Sequence, residues 1–448
     1  MENDKIRLYA EHLSGMVKYP TLSNVDEDKV NYQAFYDFHK YLEETYPLIH
    51  KTMEKKVIGK ASLLYKWPAK NPAPGKKPVL LIAHQDVVPE NDHSLWKYPP
   101  YSGLIDGTFV WGRGSGDCKS TILCEMEAVE ALIASGFEAD YDIYLGFGHN
   151  EEIQVPHDRK GACLIADYLQ EQGVTLGAVF DEGGGPAKMT TDTFDGYNVT
   201  LFMAEKGFVD FEIYCDTNGG HSMAPGQGTG LGKVAQAVVA IEANPMPYRL
   251  TPLTESSLKA SAKLYSGKTA EIYADPAGHF EELCQMAKED KFLDAKLHST
   301  FAVTMAQGSG QSNVLPMHAA VIMNVRSLQG DTIESIEEYI RKLLPEGVEV
   351  RALNGNNPTP AVEAKGHVFD LIGKIERDRL DGELVIVPNL LPGGTDARNY
   401  TGICDSVFRY TGTIPTGHQG PAHGIDEFYD CASAPSSIQF YTEFLKQY

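Results

Sequence analysis

The run at residues 79–83 (VLLIA) ends directly on His84-Gln85-Asp86, and that junction constrains the fold more than any other feature. A continuous apolar run of this length suits a strand buried on both faces of a parallel sheet. Residues 141–147 (YDIYLGF) read as a second strand and run into His149-Asn150-Glu151-Glu152, while residues 176–180 read as a third and run into Asp181-Glu182. Between them, residues 120–134 (STILCEMEAVEALIA) carry helical spacing with Gly136 as a stop, Asp117 stands just before them, and 161–171 form another helical pattern. Strand alternating with helix is the signature of a mostly parallel α/β sheet with helices on both faces. In such sheets the crevice lies at the carboxyl ends of the strands, so these acidic and imidazole clusters converge on one place.

From about residue 204 the rhythm changes. Residues 208–214 (FVDFEIY) alternate like an antiparallel strand, followed by a helix over 231–243 and an irregular polar stretch to about 300. A strand at 319–326, a helix at 333–344 with Asp331 or Thr332 as N-cap, and a strand at 348–353 complete a small α+β unit. The turn-rich segment 354–361 (NGNNPTPA) reads as a linker, after which strand and helix patterns return. The expected organisation is a large domain over 1–203 and 355–448 with an inserted domain over 204–354.

The 448 residues suffice for two cores. With 39 Lys and Arg against 61 Asp and Glu, the net charge of −22 argues against nucleic-acid binding. An anionic substrate would therefore need positive charge placed locally. The start, MENDKIRLYAEHL, has no apolar core of a signal peptide, and no apolar run reaches the ~18 residues that span a bilayer. Seven scattered Cys without a C-x-x-C pair give no disulfide framework, so the expected setting is cytoplasmic, without membrane attachment.

His nitrogen and carboxylate oxygen are the donors that zinc takes in hydrolytic sites. Two His and three carboxylates serve two metal ions if one carboxylate bridges, and paired metals activate a water while polarising a carbonyl. Glu151-Glu152 then divide the labour, one binding metal and the other acting as base. Two choices stay open on the residues alone: Asp181 or Glu182 after the third strand, and His418 or His423 in the C-terminal segment.

The motifs AHQDVVP, LWKYPPYSGLIDG, VWGRGSGDCK, GFGHNEE, FDEGG, AEKG, GGHSMAP, SNVLP, GGTDAR and PAHG, in this order, resemble the co-catalytic zinc metallopeptidases of family M20, nearest to the carboxypeptidase S type. The resemblance implies a zinc-peptidase domain carrying a ferredoxin-like lid and dimerisation domain, two Zn2+ ions (Co2+ or Mn2+ being possible substitutes), and a homodimer formed through the lid. It implies Asp117 as the bridging ligand, His84 and Glu182 on one metal, and Glu152 and His423 on the other. Glu151 becomes the general base, Asp86 the group orienting His84, and His221 the oxyanion stabiliser. Asn313, Arg326, Gly394 and Thr395 would hold the substrate carboxylate. The implied reaction is hydrolysis of an amide beside a free carboxylate, in a small peptide or an N-acyl amino acid. A non-catalytic sensor would have lost the base or a ligand; here all are present. Two departures stand out: Asn150 where Asp is usual, and the segment IQVPHDRKGA in place of a short Gly-rich turn.

Overall fold

The computed structural model describes residues 2–153, 160–418 and 420–448; positions 154–159 of the IQVPHDRKGA segment lie outside the described residues. The expected apolar runs form the middle of a nine-stranded sheet. Its path runs Glu54–Ile58, Ser62–Trp67, Ile143–Gly148, Val79–His84, Ala178–Gly184, Val407–Tyr410, Asp195–Glu205 and Glu383–Leu391, with Pro186–Thr190 paired on Asp195–Glu205. Val79–His84 lies parallel to both Ile143–Gly148 and Ala178–Gly184, and Ala178–Gly184 is parallel to Val407–Tyr410. The first two strands and the contact of Val407–Tyr410 with Asp195–Glu205 are antiparallel.

Both faces of the sheet are covered, as fully apolar strands require. On one side Leu81, Leu145 and Phe180 meet Leu13, Phe38, Ile122, Met126, Phe440 and Phe444, contributed by helices Glu2–Val17, Tyr32–Thr45, Lys119–Ala134 and Ala434–Gln447. On the other, Leu80, Ile82 and Val179 pack with Ile165 and Leu169 of helix Ala162–Glu171 and with Tyr400. Lys119–Ala134 has buried side chains on nearly every side, because it lies between the sheet and Ala434–Gln447. It fixes the turn that carries Asp117.

The second sheet has four antiparallel strands in the order Thr300–Gln307, His318–Ser327, Gly207–Asp216, Glu349–Asn356. Helices Gly230–Glu242 and Ile333–Arg341 cover one face through Val234, Ile241, Ile336 and Ile340, which gives the ferredoxin-like arrangement. Thr332 is the N-cap of the latter helix, its hydroxyl accepting the Ser335 amide. The expected linker begins later than the turn residues suggest, since Asn354 to Asn356 still pair with Gly207–Asp216.

The stretch read as irregular is instead four helices: Pro252–Ser261, Gly267–Ala274, Phe280–Glu289 and Lys291–Leu297. They bury Leu258, Ile272, Leu283, Leu293 and Leu297 among themselves, and Pro252–Ser261 also packs on strand Glu383–Leu391 of the large sheet. Among the described residues, no helix is long and apolar enough to cross a membrane.

Candidate metal centre

His84 is the last residue of its strand and is buried. Its Nδ1 lies 2.9 Å from the Asp86 carbonyl oxygen, which can only accept, so Nδ1 donates and Nε2 is the ring atom turned to the carboxylates. Nε2 faces Asp117 Oδ1 at 3.0 Å and Glu182 Oε1 at 3.5 Å. Asp117 turns its other oxygen, Oδ2, to His423 Nε2 at 3.0 Å, and His423 Nε2 is also 3.0 Å from Glu152 Oε2. The five side chains thus form two donor sets, His84–Asp117–Glu182 and Asp117–Glu152–His423, each with donor atoms within 4.8 Å of one another. Asp117 supplies one oxygen to each.

The members of the two open choices differ in what they face. Asp181 spends its oxygens on the backbone amides of Glu182 (2.8 Å) and Ala397 (2.7 Å), leaving Glu182 to face His84. His418 lies edge-on to Phe109, whereas His423 reaches the carboxylates from a left-handed backbone at φ 60°. Such conformations persist where surrounding structure holds them, commonly at functional sites. His149 turns away, its Nδ1 bonded to Ser62 Oγ.

The electrostatics suit a cation. Hydrogen bonds to Asp117 and Glu152 push His423 up to about 10. Burial and then the nearby Asp117 push Glu182 up to about 7. Crowded carboxylates facing imidazole nitrogen, all oxygen and nitrogen donors, fit a pair of divalent ions of the zinc type. Cys118 also stands in the first set. Its Sγ accepts the His84 amide, and burial pushes the thiol well up, which keeps it protonated.

Asp86 holds His84 through its backbone carbonyl, and its carboxylate makes its hydrogen bonds elsewhere. Its nearest oxygen is 3.7 Å from His84 Nδ1. Instead it accepts the Ser23 hydroxyl (2.7 Å) and the amides of Glu151 and Glu152 (3.1 Å each), fixing the turn on which both stand. Glu151 stands on that turn with its side chain 9% exposed. Burial pushes its carboxyl well up, with Glu182 and Asp396 adding and His84 and Arg398 opposing.

The residues expected to hold a substrate carboxylate fall into two groups. Arg326, on strand His318–Ser327, lies over the Phe208 ring at 5.0 Å and makes no hydrogen bond or ion pair among the described residues. Gly394 sits against Arg398, whose Nη1 would be 2.9 Å from any Cβ there. Thr395 commits its hydroxyl to Glu205 (2.7 Å), so only its backbone is open to a ligand. His221 and Asn313 are exposed, and Gly220–His221 pairs with Val314–Leu315. Among the described residues neither bonds to the donor sets.

Three residues here were given no role by the sequence. Arg398 places Nη2 3.8 Å from Glu151 Oε1 while its Nε donates to the Thr395 carbonyl. Glu427 accepts the amides of Gly116 and Asp117 on one oxygen and that of Gly114 plus Arg113 Nη1 on the other. Arg113 in turn donates to the Gly424 carbonyl, so the pair ties the Asp117 turn to the His423 turn. The arginines of GGTDAR and VWGRG were the available signals.

A family model, Peptidase family M20/M25/M40, matches residues 80–447. The chain belongs to this peptidase family. Carboxypeptidase S of Saccharomyces cerevisiae is 30% identical over 97% of this chain and 83% of its own length. The N-fatty-acyl-amino acid synthase/hydrolase PM20D1 of Mus musculus is 26% identical over 97% of this chain and 87% of its own. Among solved structures, the M20 family metallo-carboxypeptidase Sso-CP2 from Sulfolobus solfataricus superimposes with a TM-score of 0.72 at 20% identity, covering 98% of both chains. The M20 membership and the two donor sets sharing Asp117 make this a metallopeptidase of dinuclear type.

Proposed function

We propose that the chain is a di-zinc carboxypeptidase or dipeptidase that cleaves the amide next to a free α-carboxylate. The observation that supports this best is Asp117, offering one oxygen to each of two His-carboxylate sets, with the Glu151 carboxyl alongside. His84, Asp117 and Glu182 would hold one ion, and Asp117, Glu152 and His423 the other. When bound, such a pair polarises the scissile carbonyl and lowers the pKa of water.

The protein's own groups do the rest. Glu151 takes a proton from the water and hands it to the leaving nitrogen, a task helped by its raised affinity for protons. Arg326 and Arg398 supply the positive charge that the −22 chain must concentrate for an anionic substrate. Asn313 and the Gly394-Thr395 backbone complete the carboxylate cradle. His221 stabilises the oxyanion, reaching the centre from a second copy joined through the small domain. The exposed edge strand Thr300–Gln307 and the exposed Met223, Leu231, Val239 and Met305 support that homodimer.

The likeness to PM20D1 favours a second reading with the same chemistry, hydrolysis of N-acyl amino acids. The test is kcat/KM on dipeptides, blocked longer peptides and N-acyl amino acids, using protein stripped by chelator and reloaded with zinc, cobalt or manganese. Activity that vanishes on stripping and returns with zinc, highest on peptides, supports the proposal. Inactive metal-loaded protein would refute it, and a preference for N-acyl amino acids would select the second reading.

A further inference from the structure

A cavity of about 370 Å3 adjoins the donor sets, with Asp117 and Glu182 in its wall. None of Arg326, Arg398, Gly394 or Thr395 lines it. A substrate whose carboxylate lies on the arginine side and whose carbonyl lies at the metal centre would extend its acyl part this way. This argument therefore rests on the proposed function.

The wall has a definite chemistry. Thr121, in the first turn of helix Lys119–Ala134, and Ser433, just before helix Ala434–Gln447, both line the cavity and are each less than a tenth exposed. Neither hydroxyl makes a hydrogen bond among the described residues. The neighbouring polar groups are already committed: Ser120 to the Gly116 carbonyl, Ser437 to the Thr411 carbonyl, and Asp430 to Thr416 and the Ala432 amide. Among the described residues no Lys or Arg lines the cavity, and beyond the metal donors its ionisable wall residues include Asp430 and His418, so an acidic side chain directed away from the centre finds no fixed positive charge.

We propose that this cavity is the subsite for the residue on the acyl side of the scissile bond, and that Thr121 and Ser433 select a short, neutral, hydrogen-bonding side chain such as an amide or hydroxyl. A long alkyl chain would cover both hydroxyls without pairing them, and a buried polar group left unpaired counts against the ligand that buries it. A site that hydrogen-bonds its ligand discriminates well against analogues lacking the partner.

The test holds the C-terminal residue constant as leucine and varies the acyl side: Gly-Leu, Gln-Leu, Ser-Leu, Glu-Leu and N-palmitoyl-leucine, with zinc-loaded protein. Gln-Leu and Ser-Leu should exceed Glu-Leu and N-palmitoyl-leucine by about tenfold or more in kcat/KM. Thr121→Val with Ser433→Ala should remove about tenfold from Gln-Leu while leaving Gly-Leu, which does not reach the hydroxyls, unchanged. Gly-Leu turnover by the double variant reports that it is folded, and the wild-type panel decides the matter even if the variant is not. Comparable rates on Gln-Leu and Glu-Leu, or a preference for the palmitoyl compound, would overturn the subsite while leaving the hydrolase standing. Failure on every compound, Gly-Leu included, would overturn both.

Discussion

Glu427→Gln is expected to damage the metal centre without touching a donor atom. The carboxylate accepts Gly116 N at 2.9 Å and Asp117 N at 3.1 Å on Oε1, and Gly114 N at 3.1 Å and Arg113 Nη1 at 2.6 Å on Oε2. Both side chains are 1% exposed. An amide keeps one accepting oxygen and sets its NH2 against donors on the other side. At least one pair of those bonds is lost, and Arg113 is left as a buried charge without its counter-ion. Removing one member of a buried ion pair costs about 3–5 kcal/mol. The backbone of Asp117, shared by both donor sets, is loosened with it. Loss of such supporting contacts typically lowers metal affinity about 10–100-fold. Urea unfolding of the metal-free protein can be followed by tryptophan fluorescence, because Trp96 lies 5.2 Å from the Arg113 guanidinium; metal affinity follows from chelator competition. Adding Arg113→Met removes the orphaned charge, so the two changes together should destabilise less than the sum of each alone, by about 1–3 kcal/mol. Wild-type urea resistance and wild-type metal affinity in Glu427→Gln would refute the reasoning.

Asp86→Asn should lower kcat/KM by about 10–100-fold, because an amide cannot accept all three of the bonds now made by Ser23, Glu151 and Glu152; full activity would show that the turn holds itself. Arg398→Met should raise KM for free-carboxylate substrates by about tenfold, yet change little for the corresponding methyl esters. Equal effects on acid and ester would remove Arg398 from carboxylate recognition. Lys206 is buried, donates to the Ala295 and His298 carbonyls, and is pushed by burial down to about 7 from an ordinary 10.5. Between those values the unfolded chain holds a proton that the folded chain lacks, so stability from this group rises with pH across the window. Lys206→Met should flatten that rise, measured as urea midpoints at several pH values; an unchanged slope would contradict it.

The carboxyl ends of Val79–His84 and Ile143–Gly148 were legible because their apolar runs are unbroken and stop where ionisable residues begin. The third run continues to Gly184, past Asp181 and Glu182, because Arg409 and Tyr410 pair with it. That partner could not be read. Val407–Tyr410 is a short strand whose Arg409 looks like a surface residue, yet it is fully buried with Glu205 at 2.6 Å, a neighbour 204 positions away. Local pattern carries no trace of such a pairing. The helices over Pro252–Leu297 were missed for a related reason: their few apolar residues satisfy one another in a small cluster instead of presenting a broad stripe to a sheet. That His84, Asp117, Glu152, Glu182 and His423 meet was readable from motif order, whereas the Asp86, Arg113, Arg398 and Glu427 contacts depend on turns meeting across more than sixty positions.

The position of Val407–Tyr410 in the sheet also bears on how the protein is made. It lies between Ala178–Gly184 and Asp195–Glu205, so until it arrives the sheet exists as two unconnected halves, one ending at Ala178–Gly184 and the other built on Asp195–Glu205 with Glu383–Leu391. On a ribosome that keystone emerges only after about nine-tenths of the chain, and His423 follows it. A nascent or prematurely stopped chain therefore presents two open edges in place of a closed sheet, along with an incomplete donor set. Such fragments would be substrates for chaperones and proteases, so a late nonsense mutation should behave as a null allele and not as a trimmed enzyme.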